Sequence, residues 1–417
     1  MTTTVPTSAA HGNFAAMRNP GFRHFVLLSA GAVLADNVEH VITYYAAFRR
    51  FHSPTLGGIA VIAHWAPYLL FSIPIGTLTD RFDPRRLIQI GMLLFIGVSL
   101  AWGVLILTNT LQVWHAGVLL VLHGIAGVFW SAPSQVLLYD IVGPGKLESA
   151  VRLNATVRYL GFLIGPALGS LLLLSSGASL ALLTNALIYV PFLLWLCTAP
   201  YGPKFRAGGA GSRPSLRGFA DVFATLKAVR DNQVLVAMLL LSGGAALMIG
   251  NAYQAQMPQF AQDLRHGNAG VTYSLLLAAD ACGALLGGIA LEMRGGMRSK
   301  PATAIMLAML WCTALGGFAL SRSYMLAVGC LFAAGFLELS FNSMSQALIQ
   351  LNAPNETRGR VIGVYSMASL GARTFSGVSV GLIGSLIGVH YSLASSALLL
   401  FALLAVLLRV CSRGHLG

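Results

Sequence analysis

Asp36, Asn37, Glu39 and His40 lie within a stretch, 25–48, that otherwise reads as a membrane-crossing helix. A carboxylate in hydrocarbon is costly, so ionisable residues at that depth are rare and face an interior cavity. At about 100° per residue, Asp36, Glu39, His40 and Thr43 share one helix face. That combination suits proton exchange. Desolvation favours the protonated form of a carboxyl, and a neighbouring carboxyl adds to the effect. Asp36 is the first candidate and Glu39 the second. His40, one turn from Asp36, can donate a hydrogen bond or share the proton. The plainer alternative leaves Glu39 and His40 wetted by an external vestibule.

These residues need helices to hold them. Of 417 residues, 56% are hydrophobic and 9% charged, which excludes a soluble globular protein and fits a polytopic helical membrane protein. Apolar runs of bilayer-crossing length recur at 24–48, 56–78, 87–107, 113–138, 154–174, 179–199, 233–256, 269–291, 301–320, 324–350, 361–388 and 391–410. The expected fold is all-α and integral to the membrane, with twelve transmembrane helices. Residues 1–22 form a tail, 23–199 six spans, 200–232 a linker, 233–410 six more spans, and 411–417 a second tail. The linker is rich in Gly, Arg, Ser and Pro and turns amphipathic near 219–230, as a short surface helix would. The first twenty residues are polar, and no cleavable signal pattern precedes the first span.

The net charge of +13 follows membrane topology. Twenty of the 26 Lys and Arg fall on one side of the expected spans, so the positive-inside rule places both termini in the cytoplasm. No nucleic-acid partner is expected. Cys197, Cys282, Cys312, Cys330 and Cys411 are scattered without a CxxC or Cys/His cluster, supporting neither a disulfide framework nor a zinc site. No metal or cofactor is expected. No GxxxxGK[ST] loop, HExxH or nucleophile elbow occurs, which argues against an enzyme or an ATP-driven pump.

The two halves echo one another. LLSAGAVL (27–34) is similar to LLLSGGAAL (239–247), and ESAVR (148–152) and ETRGR (356–360) occupy matching loops after spans four and ten. The loop match says more, because apolar segments resemble each other by chance. Internal repeats of this kind mark secondary transporters, with the substrate site between the repeats.

The most specific segment is GTLTDRFDPRR, whose frame is Gly76-x-Leu78-x-Asp80-Arg81 followed by Arg85-Arg86. It resembles the loop signature of the major facilitator superfamily, and its DRFDPRR form is similar to the enterobactin-exporter and macrolide-efflux branch. The resemblance implies two pseudo-symmetric six-helix bundles rocking about a central cavity. It also implies that Asp80 and Arg81 form charge pairs at the cytoplasmic rim that break as the halves move, Arg81 pairing with Asp140 at the end of span four. Gly76 would permit close helix contact. A loop that only enforces topology is the alternative. The second-half counterpart, GGIALEMRGGMRSKP (287–301), lacks the Asp-Arg pair, so a gate there is doubtful, and Glu292 is expected to end span eight near the rim. In span five, Gly161, Gly165, Pro166 and Gly169 resemble the antiporter signature of drug and metabolite exporters. Small residues every four positions allow close helix approach, and the proline bends the helix. Ordinary packing is the alternative.

Arg158 in span five and Arg373 in span eleven are intramembrane cations, suited to pair with Asp36, Glu39, Asp280 or Glu338 or to bind an anionic substrate. Arg158 is near enough to the cytoplasmic end to snorkel, which makes Arg373 the better substrate ligand. The span-seven face matching Asp36 carries Asn251, Tyr253 and Gln254, which would confine titratable chemistry to the first half. Asp280 and Glu338 are second-choice proton sites. Tyr44, His64, Trp65, Tyr68, Phe129 and Trp130 are candidate cavity walls for an amphipathic, ring-bearing substrate, or else packing residues.

The combined expectation is a proton-coupled exporter of a small amphipathic molecule, such as a siderophore or drug-like metabolite, in the bacterial inner membrane. The outward-open state protonates Asp36 or Glu39 as substrate leaves, and inward opening releases the proton. Uptake by the same fold is the rival direction, and a non-transporting sensor is the third reading. The partners are substrate, protons and lipid, and one chain suffices as a monomer.

Overall fold

Proline sets where several helices begin: Pro20, Pro54, Pro84 and Pro301 each take the first helical position. There the missing N–H is no loss and the fixed φ is already helical. The computed structural model describes residues 14–51, 54–202, 227, 229–250, 252–264, 269–293, 299–376 and 383–413. The long helices of the first half are α1 (Pro20–Phe51), α2 (Pro54–Arg81), α3 (Pro84–Leu107), α4 (Val113–Val142) and α5 (Leu147–Thr198). The second half contributes α6 (Gln233–Met248), α7 (Ala269–Met293), α8 (Pro301–Leu320), α9 (Tyr324–Asn352), α10 (Arg358–Ser366) and α11 (Val389–Arg413). Among the described residues no strand occurs, and eight helices are long and apolar enough to cross a membrane. Side-chain caps start two of the helices. Asp83 accepts from Arg85 N at 3.0 Å, and Asn232 accepts from Val234 N and Leu235 N.

Spans five and six are two helical segments of α5 that part at Gly177, whose φ of 74° and ψ of 165° are not helical, so the break expected between them is present. Two other expected boundaries are corrected. Span seven ends early, at Met248, and Gly250 turns the chain with φ 47°. A Cβ there would lie 2.6 Å from Ser376 Oγ, so only glycine fits. Two short helices follow, Ala252–Ala255 and Met257–Asp263. Span eleven begins three residues earlier than expected, at Arg358, and α10 gives way to a π-helical turn over Met367–Gly371. Most of the 200–232 linker, including most of the expected surface helix, lies outside the described residues.

Each half has its own core. Phe22, Phe25, Phe95, Tyr189 and Phe192 centre the first, and Phe260, Trp311, Phe318 and Phe341 the second. In the first, α1 packs on α5, α2 on α4, and α3 on both α4 and α5. In the second, α7 packs on α9, and α8 on α9 and α11. The halves meet where α2 lies along α10 and where α5 meets α7.

Candidate functional site

Two helices end in the same pattern, Gly76-x-x-x-Asp80 on α2 and Gly288-x-x-x-Glu292 on α7, and both carboxylates cross to the opposite half. Asp80 accepts from Gly359 N at 2.5 Å and Arg360 N at 3.0 Å, with the Arg360 guanidinium 3.4 Å away. Glu292 accepts from Arg152 Nε at 3.0 Å and from the Ser149 hydroxyl. Glu148 backs Arg152 at 3.9 Å, and Gln350 donates to Gln135 at 3.3 Å across the same end. The glycine one turn before each acid makes room for the crossing. A Cβ at Gly76 would lie 2.3 Å from the Gly359 carbonyl, and one at Gly288 would lie 1.9 Å from Thr156 Oγ1. Doubt about a second-half gate at 287–301 is thereby corrected. That segment keeps the glycine and the carboxylate, and its basic partner sits in the other half. Arg152 and Arg360 are the last residues of the matched ESAVR and ETRGR segments, so the repeat supplies both clamps.

The remaining rim residues divide. Arg85 holds Asp83 through Nε and Nη2 and donates to the Ala199 carbonyl, tying α3 to the end of α5. It therefore braces the first half in this conformation. Arg81 closes α2, Arg86 is exposed, and Asp140 follows Tyr139, whose ring lies 3.5 Å beneath the Arg358 guanidinium. Burial pushes the Asp80 carboxyl up to about 6, against the pull of its Gly359 and Arg360 hydrogen bonds.

Deeper in the first half, His123 of α4 joins the acids of α1. Its Nε2 lies 2.8 Å from Asp36 Oδ1 and its Nδ1 2.9 Å from Glu39 Oε1. Glu39, 1% exposed, also accepts from Ser99 Oγ of α3 at 2.7 Å, and Asn185 of α5 approaches within 3.5 Å. Glu39 is therefore buried inside the bundle in this conformation, beside a small cavity that it lines with His40, Thr43, Trp102, Leu120 and His123. Asp36 keeps 22% side-chain exposure. His40 Nδ1 donates to the Asp36 carbonyl at 2.7 Å, and its Nε2 faces His64 Nδ1 of α2 at 3.3 Å. The small-residue stripe of α5 makes this placement possible. A Cβ at Gly161 would lie 2.5 Å from Val33 Cγ1, and one at Gly165 would lie 2.4 Å from Asn37 Cβ. Gly169 similarly abuts Val38 and Val41. Pro166 lies within α5, but its side chain is outside the described residues.

The second half has a cluster of its own, which corrects the expectation that titratable chemistry is confined to the first. Tyr253 OH lies 3.0 Å from Asp280 Oδ2 and 3.1 Å from Glu338 Oε2. Gln254 Nε2 reaches Tyr253 OH and Asp280 Oδ2, each at 3.2 Å. Asp280 and Glu338 are both buried, and Asp280 Oδ1 has no hydrogen-bond partner among the described residues. Asn251 and the Tyr44 side chain lie outside the described residues. Arg373 donates to the Ser369 carbonyl at 3.1 Å and stands 5.4 Å over the Trp65 ring, bridging the halves. Arg158 is within electrostatic reach of Arg373 and of Tyr68, Tyr159 and Tyr365. Trp65 and Tyr68 pack together at 5.4 Å, whereas Trp130 sits edge-on against Phe95 in the first-half core.

Two helical bundles, each carrying one copy of the repeat, are the architecture that the loop motif implies, and the reciprocal carboxylate clamps between them go beyond it. The pattern of the Major Facilitator Superfamily matches residues 27–377. The chain belongs to that superfamily. Among curated relatives, it is 25% identical over 403 residues to the enterobactin exporter EntS of Shigella boydii, covering 93% of this chain and 90% of the relative. It is 23% identical over 393 residues to the multidrug efflux pump Tap of Mycolicibacterium fortuitum, with coverages of 92% and 94%. The outward-facing structure of a bacterial homologue of the iron transporter ferroportin shares the fold, with a TM-score of 0.73 at 16% identity over 94% of this chain and 99% of that one. As a superfamily member, the protein is a secondary transporter of small molecules working by alternating access.

His123, Ser99, Asn185, Arg152 and the gating role of Glu292 were not singled out by sequence reasoning. A signal existed for His123, a lone ionisable residue inside the apolar run 116–134.

Proposed function

We propose that this transporter exports a small amphipathic molecule, of the siderophore or drug-like metabolite class, in exchange for protons. The observation that carries the coupling is Tyr253 held between Asp280 and Glu338. A phenol has one proton to donate. It can satisfy one carboxylate oxygen, and the other then faces a lone pair unless it carries a proton itself. The pair therefore calls for one bound proton in this conformation. Gln254, Tyr159, Arg158 and Arg373 are the polar and charged groups around it. If the basic rim faces the cytoplasm, as its charge suggests, the clamped gate is the cytoplasmic one. Cargo would then leave outward as the pair takes up a proton. Inward opening would return the proton and admit new cargo, which requires only that the two ligands prefer different conformations. Trp65, Tyr68, Arg158 and Arg373 suit a substrate with a ring and an acidic group. Export is favoured by relatives named for efflux and by the antiporter-like stripe of α5.

Untargeted mass spectrometry of cells and spent medium tests this reading, with the gene deleted, restored, or restored carrying Glu338→Gln. A compound retained by deleted cells, released on restoration but not by the variant, is the expected result. A compound left in the medium by deleted cells would reverse the direction, and no compound moving either way would overturn the transport reading.

A further inference from the structure

His40, His64 and His123 come from three different helices, α1, α2 and α4, and their donor atoms lie within 4.8 Å of one another. Two of the rings hold one nitrogen on a partner outside the triad, which leaves the other nitrogen for the cluster. His40 gives its Nδ1 proton to the Asp36 carbonyl, so its Nε2 lone pair points at His64 Nδ1, 3.3 Å away. His123 gives its Nδ1 proton to Glu39, which leaves Nε2 as the nitrogen aimed at the cluster, beside Asp36 Oδ1. Metal-ligating histidines are held in this way, with the second ring N–H on a carboxylate or a backbone carbonyl. Glu39 is itself fixed by Ser99 at 2.7 Å. The His40–His64 separation matches the edge of a tetrahedron with metal–nitrogen bonds of about 2.0–2.1 Å.

We propose that His40 Nε2, His64 Nδ1, His123 Nε2 and Asp36 bind one divalent first-row transition ion, zinc-like in its preference for imidazole and four-fold geometry. Glu39 orients His123. The ion enters past Asp36 and His40, whose side chains each keep 22% exposure, while His64 and His123 form the floor. On binding, the His123–Asp36 and His40–His64 hydrogen bonds give way, the protons on His123 Nε2 and His64 Nδ1 are released to solvent, and the freed groups turn to the ion. All four ligands belong to the first half, so rocking of the halves leaves the set intact. The site thus gives Asp36, Glu39 and His40 a role other than the proton exchange that the sequence suggests, and it stands whichever way cargo moves.

The test is equilibrium binding to the full chain in detergent, purified through a tag that contains no histidine. Titration with Co2+ is expected to give one equivalent of binding and the intense visible bands of a four-coordinate ion, lost on adding one equivalent of Zn2+. His64→Ala and His123→Gln should each weaken binding at least 100-fold. Glu39→Gln, which touches no ion, should weaken it about 10- to 100-fold. His24→Ala, at an exposed histidine, should leave it unchanged. Each variant is first checked for wild-type elution and melting without metal, and His40→Gln replaces any that fails. A weak spectrum of the six-coordinate type, or unchanged affinity in folded His64→Ala and His123→Gln, would overturn the proposal.

Discussion

Removing the charge of Glu292 tests the double gate most directly. Glu292 is 1% exposed and Arg152 5%, and they meet at 3.0 Å across the halves. Taking one partner from a buried pair leaves the other charge uncompensated, at a cost of about 3–5 kcal/mol. In Glu292→Gln the amide can still accept from Ser149. Glu148, 3.9 Å from Arg152 and 32% exposed, offers partial compensation. The lower end, about 3 kcal/mol, is therefore the expected loss. In the conformation where the rim has opened, this pair is already apart and the substitution costs nothing comparable. The whole loss falls on the closed form, and at about 1.4 kcal/mol per tenfold the closed-to-open ratio drops roughly 100-fold. Spin labels at Arg86→Cys and Glu356→Cys, exposed rim positions in opposite halves, report that ratio by double electron–electron resonance. The five native cysteines are replaced for this purpose. A shift of the main population to longer distance is expected, and an unchanged distance distribution would refute the reasoning.

Two further outcomes follow from the same contacts. The Asp80 carboxyl sits at about 6 in the closed gate and should return towards about 4 when opening exposes it to water. Protons then bind the closed form more tightly, so the closed fraction should rise as pH falls from 7 to 5, and this gain is lost as pH rises through 6. The same spin-label pair measures it; a slope of opposite sign, or one that survives in Asp80→Asn, would contradict the assignment. Gly165→Leu should force α1 off α5, because even a Cβ there lies 2.4 Å from Asn37. Destabilisation of about 1–3 kcal/mol is expected from such overpacking, read as a lower melting temperature with transport impaired; wild-type melting would show that the close approach is not needed.

What the sequence determined by itself was everything that the membrane enforces locally. Hydrocarbon forbids unsatisfied backbone and penalises charge, so spans show as apolar runs and misplaced acids stand out. Residues 301–320 match α8 end for end, and Asp36, Glu39, His40, Asp280 and Glu338 were all visible as intrusions. The repeat was legible too, since ESAVR and ETRGR already contained both clamp arginines. Tertiary structure alone decided which of these residues meet. His40, His64 and His123 are separated by 24 and 59 positions, and only the tilt and rotation of three helices bring their rings together. Glu292 was legible as a rim residue but not as a gate, because its partner lies 140 positions away in the other half. Span apolarity is a property of each segment, whereas helix rotation is the sum of many weak contacts with neighbours, including the glycine stripe that draws α1 against α5.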